Sequence, residues 1–295
     1  MTSSFVAIQS WKPMHHDTLI DATTLHTHLD DPHWVVVDCR FSLMDTDAGR
    51  RAYRESHLPG ARYAHLDQDL SSPITPTTGR HPLPDPTRLA RRLGDWGIGP
   101  GIQVVAYDDL GGMLAAARLW WLLRWLGHEA VAVLDGGFPA WQRAGLPLTA
   151  VLPIVQPTVC NGQPDDRLWL TTARVQALPS ESVLLDARTA ARFRGEMEPI
   201  DPVAGHIPGA VNLPTEGNLT ADGHFLPAAE LRARFATALG ERPAATVVHS
   251  CGSGVTACHN LLAMEAAGLR GSRLYPGSWS EWIRDPARPM ATGTD

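Results

Sequence analysis

Val35-Val-Val-Asp38-Cys-Arg40, followed further on by His57-Leu-Pro-Gly-Ala61, returns in the second half of the chain as Val183-Leu-Leu-Asp186-Ala-Arg188, followed by His206-Ile-Pro-Gly-Ala210. The echo continues in order. Gly79-Arg-His-Pro-Leu-Pro84 answers to Gly223-His-Phe-Leu-Pro227, and Val104-Val-Ala-Tyr-Asp108 to Val247-Val-His-Ser-Cys251. Asp135-Gly-Gly-Phe-Pro-Ala-Trp141 answers to Pro276-Gly-Ser-Trp-Ser-Glu-Trp282. Matches in one order at a nearly constant offset mean that one domain has been copied. Within each copy, β-branched runs read as buried parallel strands: Trp34–Asp38, Val104–Tyr107 and Ala130–Leu134, then Ser182–Asp186, Ala245–Ser250 and Ser272–Tyr275. Helix-length amphipathic segments lie between them, notably Met113–Leu126 and Val255–Ala267, the latter stopped by Gly268. Strands alternating with such helices predict an α/β fold in each copy, a parallel sheet flanked by helices. The expected layout is a first domain over 18–145, a linker over 146–166 carrying Pro147, Pro153, Pro157 and Pro164, and a second domain over 167–290.

Composition narrows the class. The 295 residues carry a formal net charge of −6, which argues against nucleic acid or an anionic membrane as the main partner. The greasiest run, Met113 to Leu126, is interrupted by Arg118 and Arg124 and is too short to span a bilayer. The first residues lack a basic region followed by an apolar one, so no export signal is expected, and His15-His16 reads as an exposed terminal segment. Four cysteines (Cys39, Cys160, Cys251, Cys258) are too few for a disulfide scaffold in a chain of this length. A cytoplasmic protein is expected.

The copies differ most at one strand end. The first has Tyr107-Asp108-Asp109-Leu-Gly-Gly112; the second has His249-Ser-Cys251-Gly-Ser-Gly-Val-Thr-Ala257. A thiol directly after a strand and before a helix, with Gly252 and Gly254 between, is placed so that loop N–H groups and the helix amino end favour thiolate. That is what a nucleophilic cysteine needs. Asp108 in the same place cannot do that chemistry. Cys258, two turns along the same helix face, reads as core, as does Cys39; Cys160 falls in the linker. A cysteine phosphatase would need an arginine where Ala257 stands, a P-loop would need a lysine after Gly254, and a hydrolase elbow would need a glycine in place of His249.

The duplication, the loop Cys251-Gly-Ser-Gly-Val-Thr-Ala257 and the trailing Gly277-Ser-Trp-Ser-Glu-Trp282 resemble the tandem-domain rhodanese family of sulfurtransferases, and within it the 3-mercaptopyruvate sulfurtransferases. The resemblance covers about Ile20 to Arg288. It implies two tandem rhodanese-like domains, the first non-catalytic, the second catalytic, with the site in the cleft between them. Thiosulfate-using members typically carry arginine and lysine where this chain has Gly252 and Ser253. By the same resemblance, Arg192 holds the donor's anionic end, an arginine fork suiting a carboxylate or sulfonate. Arg188 belongs to a structural ion pair. Mercaptopyruvate-using members usually have a second arginine in a Glu-Pro-Arg stretch, where this chain reads Glu198-Pro199-Ile200-Asp201; Arg194 is the expected substitute. His57 matches a family histidine facing the cleft, with Ser253 and an upstream acid, Asp47 being the nearest candidate. His206 holds the same place in the second copy, however, and points to a structural role in both.

The implied reaction has Cys251 take sulfane sulfur from 3-mercaptopyruvate as a persulfide and hand it to cyanide, a thiol or thioredoxin. Ser253 would bond the donor's sulfur or keto oxygen, Gly252, Gly254 and Val255 would supply loop N–H groups, and Thr256 would brace the loop. No metal or cofactor is implied. The alternatives are thiosulfate as donor, or a persulfide carrier without turnover of a small donor.

Overall fold

Two all-parallel sheets carry the two copies in a computed structural model that describes residues 15–294. The segment on which the export signal was read as absent therefore lies mostly outside the described residues. In the first copy the strands are β1 (Leu19–Ile20), β2 (Trp34–Asp38), β3 (Arg62–Tyr63), β4 (Gln103–Tyr107) and β5 (Val131–Leu134). They are ordered β1-β5-β4-β2-β3 and interleaved with α1 (Ala22–His26), α2 (Ala48–Glu55), α3 (Pro86–Asp95), α4 (Ala115–Trp125) and α5 (Gly137–Arg143). The second copy has β6 (Val183–Asp186), β7 (Val211–Asn212), β8 (Val247–Ser250) and β9 (Arg273–Leu274), ordered β7-β6-β8-β9. Its helices are α6 (Thr172–Gln176), α7 (Ala190–Phe193), α8 (Ala228–Leu239), α9 (Ala257–Ala266) and α10 (Ser278–Trp282). The order is the same in both, with a single parallel bridge, Trp169 to Leu274, standing where the first copy has β1.

The central strands are buried along their length, as continuous Val/Leu/Ala runs require when helices cover both faces. Each copy repeats one buried ion pair: Arg40 chelates Asp38 and reaches the Ser56 carbonyl (2.6 Å), while Arg188 chelates Asp186 and reaches the Gly205 carbonyl (2.8 Å). Arg188 is thus structural, as read. Gly268 (φ +76°) ends α9, with the Leu269 N–H donating back to the Met264 carbonyl (2.8 Å). The His15-His16 pair is only partly exposed, because the His16 N–H donates to Gln103 Oε1 (2.9 Å).

The seam between the copies explains α4 and α9, which are buried on nearly every side where amphipathic helices would keep one face in solvent. Every residue of α4 except Arg124 is buried, and so are nine of the ten residues of α9, because the two helices pack on each other and merge the cores of both copies into one cluster. The proline-rich stretch before α6 runs along the first domain, its Thr158, Gln163 and Asp165 N–H groups donating to the carbonyls of Gly94, Leu126 and Trp125. Among the described residues, no helix is long and apolar enough to cross a membrane.

Candidate active site

Cys251 follows β8 directly, at the carboxyl end of the second sheet, where ligands gather in open parallel sheets. It is 1% exposed. Its N–H donates to Ser278 Oγ (3.0 Å), and that hydroxyl donates to the Tyr275 carbonyl (2.9 Å). The carbonyls of Cys251 and Gly252 accept from the Trp279 and Ser280 N–H groups at 3.0 and 2.9 Å, so the start of α10 fixes the loop from behind. Gly254 has to be glycine: its φ is +76°, and a Cβ there would stand 2.3 Å from the Pro276 carbonyl oxygen. This turn brings the Gly254 N–H to Cys251 Sγ (3.1 Å). It is one donor, where several were expected at the sulfur. The N–H groups of Gly252, Ser253, Val255 and Thr256 have no acceptor among the described residues. The Val255 side chain belongs to the core, and the Thr256 hydroxyl makes no capping bond to brace the loop.

The first copy shows what such a loop does with an anion. Asp108 Oδ1 accepts from the Leu110 and Gly112 N–H groups (3.0 and 2.8 Å), and Oδ2 from those of Leu114 and Ala116 (3.2 and 3.3 Å). A strand-to-helix turn with glycines is therefore a backbone cradle here, and in the first copy it is filled by a carboxylate. Burial still pushes Asp108 up to about 6.

The other half of the site comes from the first domain. The loop around Gly79 docks on α10, with the Arg80 N–H donating to Ser280 Oγ (3.0 Å). It delivers His81, whose Nδ1 lies 2.7 Å from Ser253 Oγ and whose Nε2 lies 3.2 Å from Asp67 Oδ1. A carboxylate only accepts, so the ring proton sits on Nε2 and Nδ1 accepts from the Ser253 hydroxyl. Burial lowers the pKa of His81 despite Asp67, and the bond from His81 lowers that of Asp67, so a neutral ring faces an ionised acid at neutral pH. Arg118, fully buried in α4, donates to the carbonyls of Gly254 (3.1 Å) and His81 (3.3 Å) and so ties the two loops together.

His57 does not join Ser253. Its Nδ1 meets the Tyr53 carbonyl (2.6 Å), its Nε2 the Val151 carbonyl (3.2 Å), and its ring stacks on Tyr53. His206 repeats this in the second copy, against the Phe193 carbonyl (2.8 Å) and ring. A histidine whose ring nitrogens bond backbone carbonyls in the core is a brace, and Asp47 sits out at the surface beside Arg50. Arg192 lies beside Gly252, held by Glu198 (2.8 Å) and Asp201 (3.1 Å). Burial opposes ionisation of Glu198, yet bonds from Arg192 and from the Asp201 and Ile200 N–H groups hold its pKa low. Arg194 turns to Glu196 at the surface (2.7 Å) and does not reach the loop. Cys258, fully buried, donates to the Gly254 carbonyl (3.4 Å), and burial pushes its thiol up to about 12, so it is no resolving thiol. His81, Asp67 and Arg80 were missed, although a signal was present: Arg80-His81 lies in a repeated stretch whose second copy has Gly223-His224.

Set beside known proteins, two segments of the chain, 21–144 and 171–285, match the family described as Rhodanese-like domain. A probable 3-mercaptopyruvate sulfurtransferase of Pseudomonas aeruginosa is 52% identical over 279 residues, 93% of this chain and 98% of that one. A putative thiosulfate sulfurtransferase of Mycobacterium tuberculosis is 40% identical over 267 residues, 88% of this chain and 91% of that one. The structure of 3-mercaptopyruvate sulfurtransferase from Leishmania major superposes with a TM-score of 0.81 at 33% identity, over 92% of this chain and 76% of that one.

Proposed function

The chain belongs to the rhodanese family of sulfurtransferases, and from that premise we propose that it takes sulfur from 3-mercaptopyruvate, holds it as a persulfide on Cys251 and passes it to a thiophilic acceptor such as cyanide, a small thiol or thioredoxin. The observation that carries the choice of donor is the Ser253 hydroxyl oriented by His81 and Asp67 beside the thiol. Thiosulfate has no carbon skeleton to activate. A keto-thiol does, because breaking its carbon–sulfur bond throws an electron pair onto an enolate oxygen, which the Ser253 O–H would stabilise on turning from His81 Nδ1 to that oxygen.

In this reading the Cys251 thiolate attacks the thiol sulfur of the donor. The new sulfur–sulfur bond forms as the carbon–sulfur bond breaks, and the electron pair leaves as the enolate of pyruvate. The proton from the donor thiol ends on the enolate carbon, giving pyruvate and a Cys251 persulfide anion, with Ser253 and His81 holding the proton path. Arg192 binds the donor carboxylate. The unoccupied N–H groups of Gly252, Ser253, Val255 and Thr256 suit the persulfide as the matching cradle suits the Asp108 carboxylate. A thiolate acceptor then attacks the outer sulfur and frees Cys251. All four cysteines are free, which fits a reducing compartment such as the cytoplasm.

The test is kcat/KM for 3-mercaptopyruvate against thiosulfate, with intact mass read after each donor. We expect 3-mercaptopyruvate to win by roughly tenfold or more, with the mass of one sulfur atom gained on Cys251 and none on the C251S protein. A preference for thiosulfate would overturn the choice of donor. A sulfur gain without multiple turnover to pyruvate would make the protein a carrier.

A further inference from the structure

Four arginines gather around the Cys251 loop, and three of them have their own carboxylates. Arg188 is chelated by Asp186 (2.7 Å) and lies 3.5 Å from Glu198. Arg192 holds Glu198 (2.8 Å) and Asp201 (3.1 Å), and Arg80 holds Asp201 from the other side. Asp186, Glu198 and Asp201 thus offset Arg80, Arg188 and Arg192 charge for charge. His81 is neutral, and the side chain of its acid, Asp67, is 41% exposed to water. The fourth arginine, Arg118 of α4, is 0% exposed and has no carboxylate partner among the described residues. Its Nη1 donates to the Gly254 carbonyl (3.1 Å) and its Nη2 to that of His81 (3.3 Å), while its buried Nε has no hydrogen-bond partner there. A guanidinium stays ionised in a protein, and a buried charge without an opposite is among the most destabilising features a fold can hold.

Burial works against the charge of Arg118, and two thiols favour it, Cys258 first and Cys251 after it. Cys258 does not supply the anion: burial pushes it up to about 12, and it donates to the Gly254 carbonyl (3.4 Å). That leaves Cys251. Loop N–H groups alone do not hold a buried anion, as the first copy shows, since four of them bond Asp108 and burial still pushes it up to about 6. The mirrored joint has no fixed cation in the matching place. There His259 of α9 meets the Gly111 carbonyl (3.3 Å) as Arg118 of α4 meets that of Gly254, and burial pushes His259 down to about 3, which leaves it neutral. Resting on the reading of Cys251 as the sulfur-carrying thiol, we infer that Arg118 is a positioning residue lent by the first domain. Through the Gly254 and His81 carbonyls it aligns the two halves of the site, and its charge is the standing counter-ion of the Cys251 sulfur, as thiolate before transfer and as persulfide after it.

Iodoacetamide reads the anion without any sulfur donor, because the thiolate displaces iodide, a carbon–sulfur bond forming as the carbon–iodine bond breaks. Intact mass and peptide mapping give the rate at Cys251 from about pH 5 to about pH 10, a range that brackets the ordinary thiol. R118Q keeps an N–H donor and loses the charge. Its profile should move up by about one pH unit, so that alkylation on the acid side slows roughly tenfold while the alkaline plateau stays within about twofold of the parent. R118K keeps the charge and loses the fork, and its midpoint should stay within about 0.3 of a pH unit of the parent. An arginine that only holds the loops together would lower the plateau in both variants and leave both midpoints where they were.

An unmoved midpoint in R118Q would overturn the counter-ion, as would R118K shifting as far as R118Q, or alkylation falling on Cys258. Should R118Q fail to fold, the parent decides the matter against C251S. The excess stability of the parent, read from urea midpoints, should grow between about pH 6 and about pH 8.5, where the unfolded thiol still binds its proton and the folded one does not. A flat difference would overturn the proposal. If the alkylation profile followed Arg118 while the parent gained no sulfur from 3-mercaptopyruvate, the donor assignment would fail and the counter-ion would stand.

Discussion

Ser278 is the one described residue other than glycine with positive φ (+51°), and it sits against Cys251. Its counterpart in the first copy is Gly137, at φ +57°, where the conformation carries little strain. The second copy keeps a serine there because its hydroxyl accepts the Cys251 N–H and fixes the residue that bears the thiol. S278A should retain the strain and leave that buried N–H unpaired, lowering stability by about 1–3 kcal/mol. S278G should relieve the strain, worth about 1 kcal/mol, and so be the more stable of the two, with sulfur transfer reduced in both. Urea midpoints and kcat for the pair check this; S278A as stable as S278G would refute the assignment of strain. At this scale the sequence was an uneven guide. Cys251 stood out because its twin position holds Asp108, whereas His57 was taken up for its resemblance to a family histidine, although its twin His206 already pointed to the bracing position that both occupy.

At the scale of elements, the β-branched runs placed the strands well. Trp34–Asp38 is a strand from end to end, and Val247–Ser250 keeps the burial that its composition demands. The run Ser272–Tyr275 shortened to Arg273–Leu274, since that strand pairs only with β8 and with the single bridge at Trp169. The loops were less legible. Nothing local in Gly79-Arg-His81 says that it will dock on α10, two hundred residues away. The Asp108 loop carries a pH signature of its own. Its carboxyl rises from 3.8 unfolded to about 6 folded, so the native state binds more protons across that window. Stability from this group is therefore fullest below pH 4 and is lost as pH rises to 6, by about 3 kcal/mol. D108N removes the titration, and its amide would face two of the four N–H donors. The stability difference between the parent and D108N should thus shrink between pH 4 and pH 6.5 in urea titrations; a gap that grew would refute the shift.

For the whole molecule, two buried histidines act in the opposite sense. Burial pushes His249 and His259 down to about 3, and His259 lies on the seam, its Nε2 beside the Gly111 carbonyl (3.3 Å) and its ring stacked on Phe225. The unfolded chain binds a proton at each site below pH 6.5 and the folded one does not. Stability should therefore fall on acidification below 6.5, by up to about 1.4 kcal/mol per pH unit for each histidine. H259Q should take roughly one proton's worth out of that slope between pH 5 and 6.5; a slope equal to the parent's would mean that His259 stays protonated in the fold.

In the proposed reaction the seam would also govern traffic. With Cys251 at 1% exposure and the Arg80 and Arg192 side chains beside the loop only 20% and 13% exposed, a sulfur stored there would be shut off from bulky acceptors. Loading and unloading would then require the seam between α4 and α9 to open, and throughput would become a mechanical property of the joint: a molecule glued too firmly there would keep its chemistry intact and have nowhere to deliver the product.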